Sequence, residues 1–160
     1  MTAVTLLAPI TGRAVPLDAV PDPVFAGRML GDGVAIDPSG DLAVAPVAGE
    51  VVALFPTGHA LALRADCGAE ILLHLGVDSS QAKGVFRPVV ALGERVEAGQ
   101  PLVRLDLAAF RAQARSPLSP LVVLNPGADR QVEVLATGPV VAGRDAVCRL
   151  LERRKPDATS

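Results

Sequence analysis

The stretch Ala60-Leu61-Ala62-Leu63-Arg64-Ala65-Asp66-Cys67-Gly68-Ala69-Glu70-Ile71-Leu72-Leu73-His74-Leu75 holds two short apolar runs, residues 60–64 and 70–75, around an Asp-Cys-Gly turn. Glycine at such a turn accepts the positive φ that a tight reversal needs, so the two runs fold as an antiparallel strand pair. Runs of the same kind, rich in Val, Leu and Ala, recur at residues 49–55, 101–105 and 121–124. Between them, 15 glycines and 14 prolines in 160 residues leave no room for long helices. Short strands at close spacing, divided by turn residues, are the pattern of an all-β sandwich or barrel. Only residues 22–29, where Asp22 can cap, and residues 107–115 read as short helical turns.

Two patterns repeat. Ala8-Pro9-Ile10-Thr11-Gly12-Arg13-Ala14-Val15 is similar to Ala45-Pro46-Val47-Ala48-Gly49-Glu50-Val51-Val52, and residues 93–102 are similar to residues 137–146. The second pair shares Val-x-Ala-Gly, a strand end reversing through a glycine turn. The repeats predict an antiparallel β-structure of two duplicated halves. Composition changes abruptly at residue 153 to charged and polar residues, so a domain over residues 1–152 is expected to end in a flexible tail or the start of a linker.

Fifteen basic and 17 acidic residues give a net charge of -2, without the basic stripe that nucleic-acid binders carry. Half the residues are hydrophobic and 20% are charged, a balance that folds rather than remaining disordered. No apolar run approaches the roughly 18 residues of a membrane span, and no basic segment leads an apolar one at the N-terminus. The expectation is a soluble, cytoplasmic chain with no direct membrane insertion. Cys67 and Cys148 are far apart, outside any CxxC, and read as small buried hydrophobes rather than disulfide or structural zinc partners.

The only two histidines are His59 and His74. If residues 60–64 pair with residues 70–75, positions whose numbers sum to about 133 face each other, which sets His59 opposite His74. Thr57, whose hydroxyl can orient His59, and the acid Asp78 lie close by in sequence. Two imidazoles, a hydroxyl and a carboxylate support zinc ligation, general acid/base work or phosphoryl transfer through an imidazole nitrogen; read conservatively, the histidines are satisfied groups at strand ends.

Thr57-Gly58-His59-Ala60 followed by Glu70-Ile71-Leu72-Leu73-His74-Leu75-Gly76-Val77-Asp78 resembles the active-site segment of the glucose-type enzyme IIA (EIIA) components of the bacterial phosphoenolpyruvate-dependent sugar phosphotransferase system. The resemblance runs from Ala8-Pro9-Ile10-Thr11-Gly12 to about Leu150. It includes Val20-Pro21-Asp22-Pro23-Val24-Phe25-Ala26, Gly31-Asp32-Gly33-Val34-Ala35-Ile36-Asp37-Pro38 and Ser116-Pro117-Leu118-Ser119-Pro120-Leu121-Val122-Val123. It implies a compact antiparallel β-sandwich and a phosphocarrier needing no cofactor. His74 would accept a phosphoryl group on Nε2 from phosphohistidine HPr and pass it to the IIB domain of a glucose or N-acetylglucosamine-class permease. His59 would stabilise that group, Thr57 would orient His59, and N–H groups of Gly76, Val77 and Asp78 would add donors.

The resemblance further implies a docking surface of Val24, Phe25, Met29, Leu30, Phe55 and Leu72, with Asp22 and Asp78 as attracting acids. Phe25 and Met29, four residues apart, are the members expected at the surface. Regulated transporters or enzymes would bind the same face, in some cases with zinc between His59, His74 and a partner carboxylate; alone, the two histidines make a weak pair. The chain departs from the family at Gly58, commonly Asn, and in a loop after Asp78 about one residue short. A zinc metallopeptidase on the same β architecture and a non-catalytic regulatory binding domain are the alternatives. The first would need more than two histidines, and a biotinyl or lipoyl carrier would need a lysine at a hairpin tip, where neither Lys83 nor Lys155 sits.

Overall fold

The computed structural model describes residues 2–152; the expected tail from residue 153 lies outside them. In chain order the strands begin with β1 (Thr2–Leu7), β2 (Gly12–Pro16), β3 (Gly31–Pro38), β4 (Leu42–Val44), β5 (Gly49–Leu54), β6 (Ala60–Ala65) and β7 (Glu70–His74). They continue with β8 (Phe86–Pro88), β9 (Arg95–Val96), β10 (Pro101–Leu105), β11 (Ser119–Leu124), β12 (Arg130–Val134), β13 (Gly138–Val140) and β14 (Ala146–Glu152). Two helices, α1 (Pro23–Ala26) and α2 (Leu107–Gln113), and a 3-10 turn at Leu17–Ala19 complete the described elements. An eight-stranded sheet runs β13-β2-β3-β11-β7-β6-β5-β9, and two three-stranded sheets, β1-β14-β12 and β4-β10-β8, accompany it. The strand pairings are antiparallel, so the all-β expectation holds.

The near-continuous apolar sequence of β6, β7 and β11 has a physical cause, because these central strands are covered on both faces. In β7, Ile71 and Leu73 enter the main core with Leu61, Leu63, Leu121 and Val123. Leu72 points the other way, into a smaller cluster with Leu17, Val20, Phe25, Ala60 and Val122. The segment carrying Leu17 and α1 therefore acts as a cover on the outer face of the sheet. Asp22 caps α1 as expected, accepting from Val24 N–H at 2.9 Å. The helix is shorter than the expected residues 22–29, because Gly27 follows Ala26 and Arg28 turns left-handed at φ 56°. Likewise α2 stops at Gln113, where Ala114 turns extended. Cys148 is fully buried, its thiol pushed up to about 12 by that burial, whereas Cys67 is only half-buried, lying at a solvent-facing hairpin turn.

The duplicated halves meet through reciprocal hydrogen bonds. Leu7 N–H donates to the Pro46 carbonyl at 2.9 Å, and Val44 N–H donates to the Pro9 carbonyl at 2.7 Å. The matching Ala8 and Ala45 carbonyls accept from Gly143 N–H and Gly99 N–H, at 2.9 and 2.8 Å. Residues 7–9 and 44–46 thus bind each other as equivalents about a pseudo-twofold, and the two Val-x-Ala-Gly turns bind the matching alanines Ala8 and Ala45. At their meeting point a Cβ on Gly143 would lie 3.3 Å from Gly99 Cα, with φ +69°. Gly143→Ala is expected to cost about 1–2 kcal/mol from the left-handed conformation, before any cost of the contact. Chemical denaturation is the check, and an unchanged midpoint would contradict this account of the turn.

Candidate functional site

His74 is the last residue of β7, on the same face as Leu72 and beneath the cover segment. Its register partner is Ala60, whose methyl leaves the space above it open to an imidazole. The register differs by one residue from that expected of the sequence: His59 lies across from Leu75, and its carbonyl accepts from Leu75 N–H at 2.7 Å. Strictly continued, strand alternation would send His59 to the opposite face from His74. The turn before β6 prevents this. Gly58 has φ +76°, its N–H donates to the Phe55 carbonyl at 2.8 Å, and His59 precedes the regular strand. The rings then meet edge to face, centroids 5.1 Å apart at 78°. A Cβ on Gly58 would fall 2.8 Å from the Pro88 ring, so glycine suits this turn where a side chain would crowd it.

Each ring is held at Nδ1. His74 Nδ1 lies 2.7 Å from the Gly76 carbonyl, which can only accept. The proton of neutral His74 is therefore on Nδ1, and Nε2 carries an available lone pair. His59 Nδ1 bonds to the Thr57 hydroxyl, the contact expected from the sequence. When that hydroxyl donates, the His59 proton sits on Nε2 as a hydrogen-bond donor. Phe55 packs against His59 at 5.3 Å and Phe25 against His74 at 5.2 Å, centroid to centroid.

Both histidines titrate below the ordinary 6.5. Burial is the main cause for His59, 6% exposed, and the neighbouring His74 adds to it. Burial also dominates for His74, opposed by the bond to Gly76 and by the charge of Asp22. Near pH 7 the pair is therefore neutral, the state in which His74 Nε2 is nucleophilic.

The expected docking residues separate into two groups. Met29 is 70% exposed, Phe55 42%, and Val24 and Leu30 just over a third, so these four present apolar surface to solvent, with Phe55 directly against His59. Phe25 corrects the expectation, since it is only 6% exposed, and Leu72 is buried beside it. Helix α1 turns Phe25 inward because the outer face of β7 needs an apolar cover, so both residues support the site from beneath. Asp22 sits where its charge reaches His74, and Asp78 is exposed at φ +51°, 3.5 Å from the Arg115 guanidinium.

The backbone donors also need correction. Gly76 N–H is taken by the Ser119 hydroxyl at 3.2 Å and Val77 N–H by the Ser116 carbonyl at 2.9 Å, which leaves Asp78 N–H without an acceptor among the described residues. Ser119 is the residue that sequence reading missed. It is fully buried, donates to the Pro117 carbonyl at 2.9 Å and accepts from Gly76, so it fixes the peptide that fixes His74. A serine opening a buried strand was its only signal. Gly76 has φ +79° and a Cβ there would lie 2.6 Å from Phe110. No third His, Cys, Asp or Glu joins the two histidines in a metal-sized cluster among the described residues.

The family model for the phosphoenolpyruvate-dependent sugar phosphotransferase system, EIIA 1, matches residues 4–128. The glucose-specific EIIA component of Bacillus cereus is 45% identical over 130 residues, 81% of this chain and 79% of that one. The N-acetylglucosamine-specific EIICBA component of Escherichia coli is 43% identical over 140 residues, 87% of this chain and 22% of that longer one. Among solved structures, glucose permease IIA from Mycoplasma capricolum superposes with a TM-score of 0.86 at 37% identity, over 93% of this chain and 96% of that one. These likenesses support the phosphocarrier expectation and lend none to the metallopeptidase.

Two outcomes follow from the geometry. Unfolded histidines bind protons near 6.5 and these folded ones only at lower pH, so their contribution to stability is present above 6.5 and is lost as pH falls through the folded values. Denaturant unfolding from about pH 7 to about pH 5 is expected to show a shallower loss in a His59→Gln/His74→Gln double variant than in the native chain; equal slopes would refute the buried-neutral assignment. Ser119→Ala is expected to cost about 1–3 kcal/mol for the orphaned Gly76 N–H. In ¹⁵N NMR it should also raise the Nε2–H fraction of His74, whereas an unmoved tautomer would mean that Ser119 has no part in holding the ring.

Proposed function

The chain belongs to the EIIA 1 family of the phosphoenolpyruvate-dependent sugar phosphotransferase system, a family of phosphotransferase components, and from that premise we propose that His74 is its phosphoryl acceptor. One observation carries the assignment: the bond from His74 Nδ1 to the Gly76 carbonyl leaves Nε2 unprotonated on the face it shares with His59. The Nε2 lone pair forms the new bond to phosphorus as the donor's N–P bond breaks, and the departing imidazole recovers that electron pair. In the second step the roles reverse: a cysteine thiolate of the acceptor forms the S–P bond and His74 leaves with its lone pair restored. Such transfer depends on alignment and charge stabilisation more than on covalent work by the protein.

His59 supplies the charge stabilisation. With Thr57 donating to its Nδ1, His59 offers Nε2–H to a phosphoryl oxygen, and the arriving negative charge raises the His59 pKa toward the protonated form. Asp78 N–H, the backbone donor left open, is the second candidate for an oxygen. The donor in this reading is phosphohistidine HPr and the acceptor the IIB domain of a sugar permease. The Escherichia coli relative, named an EIICBA component specific for N-acetylglucosamine, supports a permease partner of the glucose or N-acetylglucosamine class. Transfer takes place in the cytoplasm. Val24, Met29, Leu30 and Phe55 dock the two partners in turn, with Asp22 and Asp78 attracting their basic groups. Zinc would bind His59 and His74 only where a docked partner supplied further ligands.

Incubation with enzyme I, HPr and labelled phosphoenolpyruvate tests this reading. Acid-labile label is expected on the native chain and on His59→Ala, and none on His74→Ala; His59→Ala should pass it to IIB at least about a hundredfold more slowly. Label retained by His74→Ala would overturn the assignment.

A further inference from the structure

Eight of the eleven described arginines have a carboxylate within 4.0 Å. Of the remaining three, Arg13 stands opposite Asp37 in the β2–β3 register. The other two, Arg87 on β8 and Arg104 on β10, stand directly opposite each other. Like charges facing across a strand pair destabilise the sheet, and no carboxylate among the described residues lies within 4.0 Å of either guanidinium. The same two side chains line a groove of about 310 Å³ with Gly84, Phe86 and Asp106, a volume that suits a small ligand. We infer that this groove binds a phosphomonoester carried on a small hydroxylated molecule, of which a hexose phosphate is the type.

Each part of the ligand has its counterpart. Two adjacent guanidiniums present planar pairs of donors, the arrangement that grips a phosphate through several oxygens at once. Occupancy by a dianion converts the repulsion between the arginines into two attractions. Asp106 would disfavour a bare anion, so its presence selects for something more. Its Oδ1 accepts from Ala109 N–H at 3.1 Å as the cap of α2, while Oδ2 makes no hydrogen bond to the described residues and can accept from a ligand hydroxyl. At Gly84 nothing lies within 4 Å of a would-be Cβ, so that edge of the groove is open for entry. These groups differ from the histidine pair and the four exposed apolar residues, and the inference stands whether or not His74 carries phosphate.

Titration of the ¹⁵N-labelled chain at constant ionic strength, with glucose 6-phosphate, inorganic phosphate and glucose as separate probes, tests it. Saturable shifts at the amides of residues 84–87 and 103–106 are expected with glucose 6-phosphate, about tenfold weaker binding with inorganic phosphate and none with glucose. Arg87→Gln and Arg104→Gln should each weaken glucose 6-phosphate about tenfold or more, yet melt at or above the native temperature without ligand, because one of the opposed charges is gone. A variant that melts lower would refute the strained-pair premise. Absence of a saturable shift, or equal binding by native and variant chains, overturns the site. Equal affinity for inorganic phosphate overturns the role of Asp106. Shifts seen only with phosphatidylglycerol vesicles would assign the arginines to a membrane surface instead and overturn the small-molecule reading.

Discussion

The hydrogen bond from His74 Nδ1 to the Gly76 carbonyl is the contact on which the candidate site turns. It selects the tautomer, orients the ring toward His59 and leaves Nε2 bare. The carbonyl is aimed by a left-handed Gly76 pressed against Phe110, with its N–H tied to the buried Ser119 hydroxyl of β11. Phe110 belongs to α2 and to the main core, so the His74 ring is anchored through the centre of the molecule rather than through a surface loop. Such stiffness would serve the proposed phosphoryl transfer, since small displacements at a transfer centre are costly.

The scaffold achieves that stiffness by duplication. Reciprocal bonds between residues 7–9 and 44–46, and two glycine turns in contact at the pseudo-twofold, lock the halves together on the side of the chain where they are equivalent. The candidate site lies where equivalence fails. The cover of Leu17, Val20 and Phe25 lies over one face of β7 and β11, converting an apolar sheet surface into a half-buried shelf for two imidazoles. Burial on that shelf keeps both rings neutral, and Asp22, standing near His74, limits how far the depression goes.

Much of this is legible in residue order. Strands 101–105 and 121–124, the hairpin around Cys67 and the cap at Asp22 follow from turn chemistry and apolar runs, which are local. The meeting of His59 and His74 was anticipated through a register one residue away from the true one. The rings still meet because the left-handed turn at Gly58 lifts His59 out of strand alternation, and a pairing argument cannot contain that turn. Phe25 was expected outside because its spacing with Met29 looked like one exposed stripe. Only the packing of α1 on β7 shows that the helix divides the pair, with Phe25 beneath the histidine and Met29 in solvent.

By itself the sequence determined an all-β chain of two similar halves, the hairpin that carries His74, the Thr57–His59 contact and a net charge close to zero. Each of these depends on residues near one another in the chain, or on composition. Tertiary structure alone decided that Ser119, 43 residues from Gly76, holds the peptide that orients His74. It also decided that the N–H groups of Gly76 and Val77 are already bonded, and that Arg87 and Arg104 face each other with no carboxylate among the described residues within 4.0 Å. Hydrogen-bond satisfaction and charge pairing between distant segments follow from how strands are ordered in space, and one chain read in order does not carry that ordering.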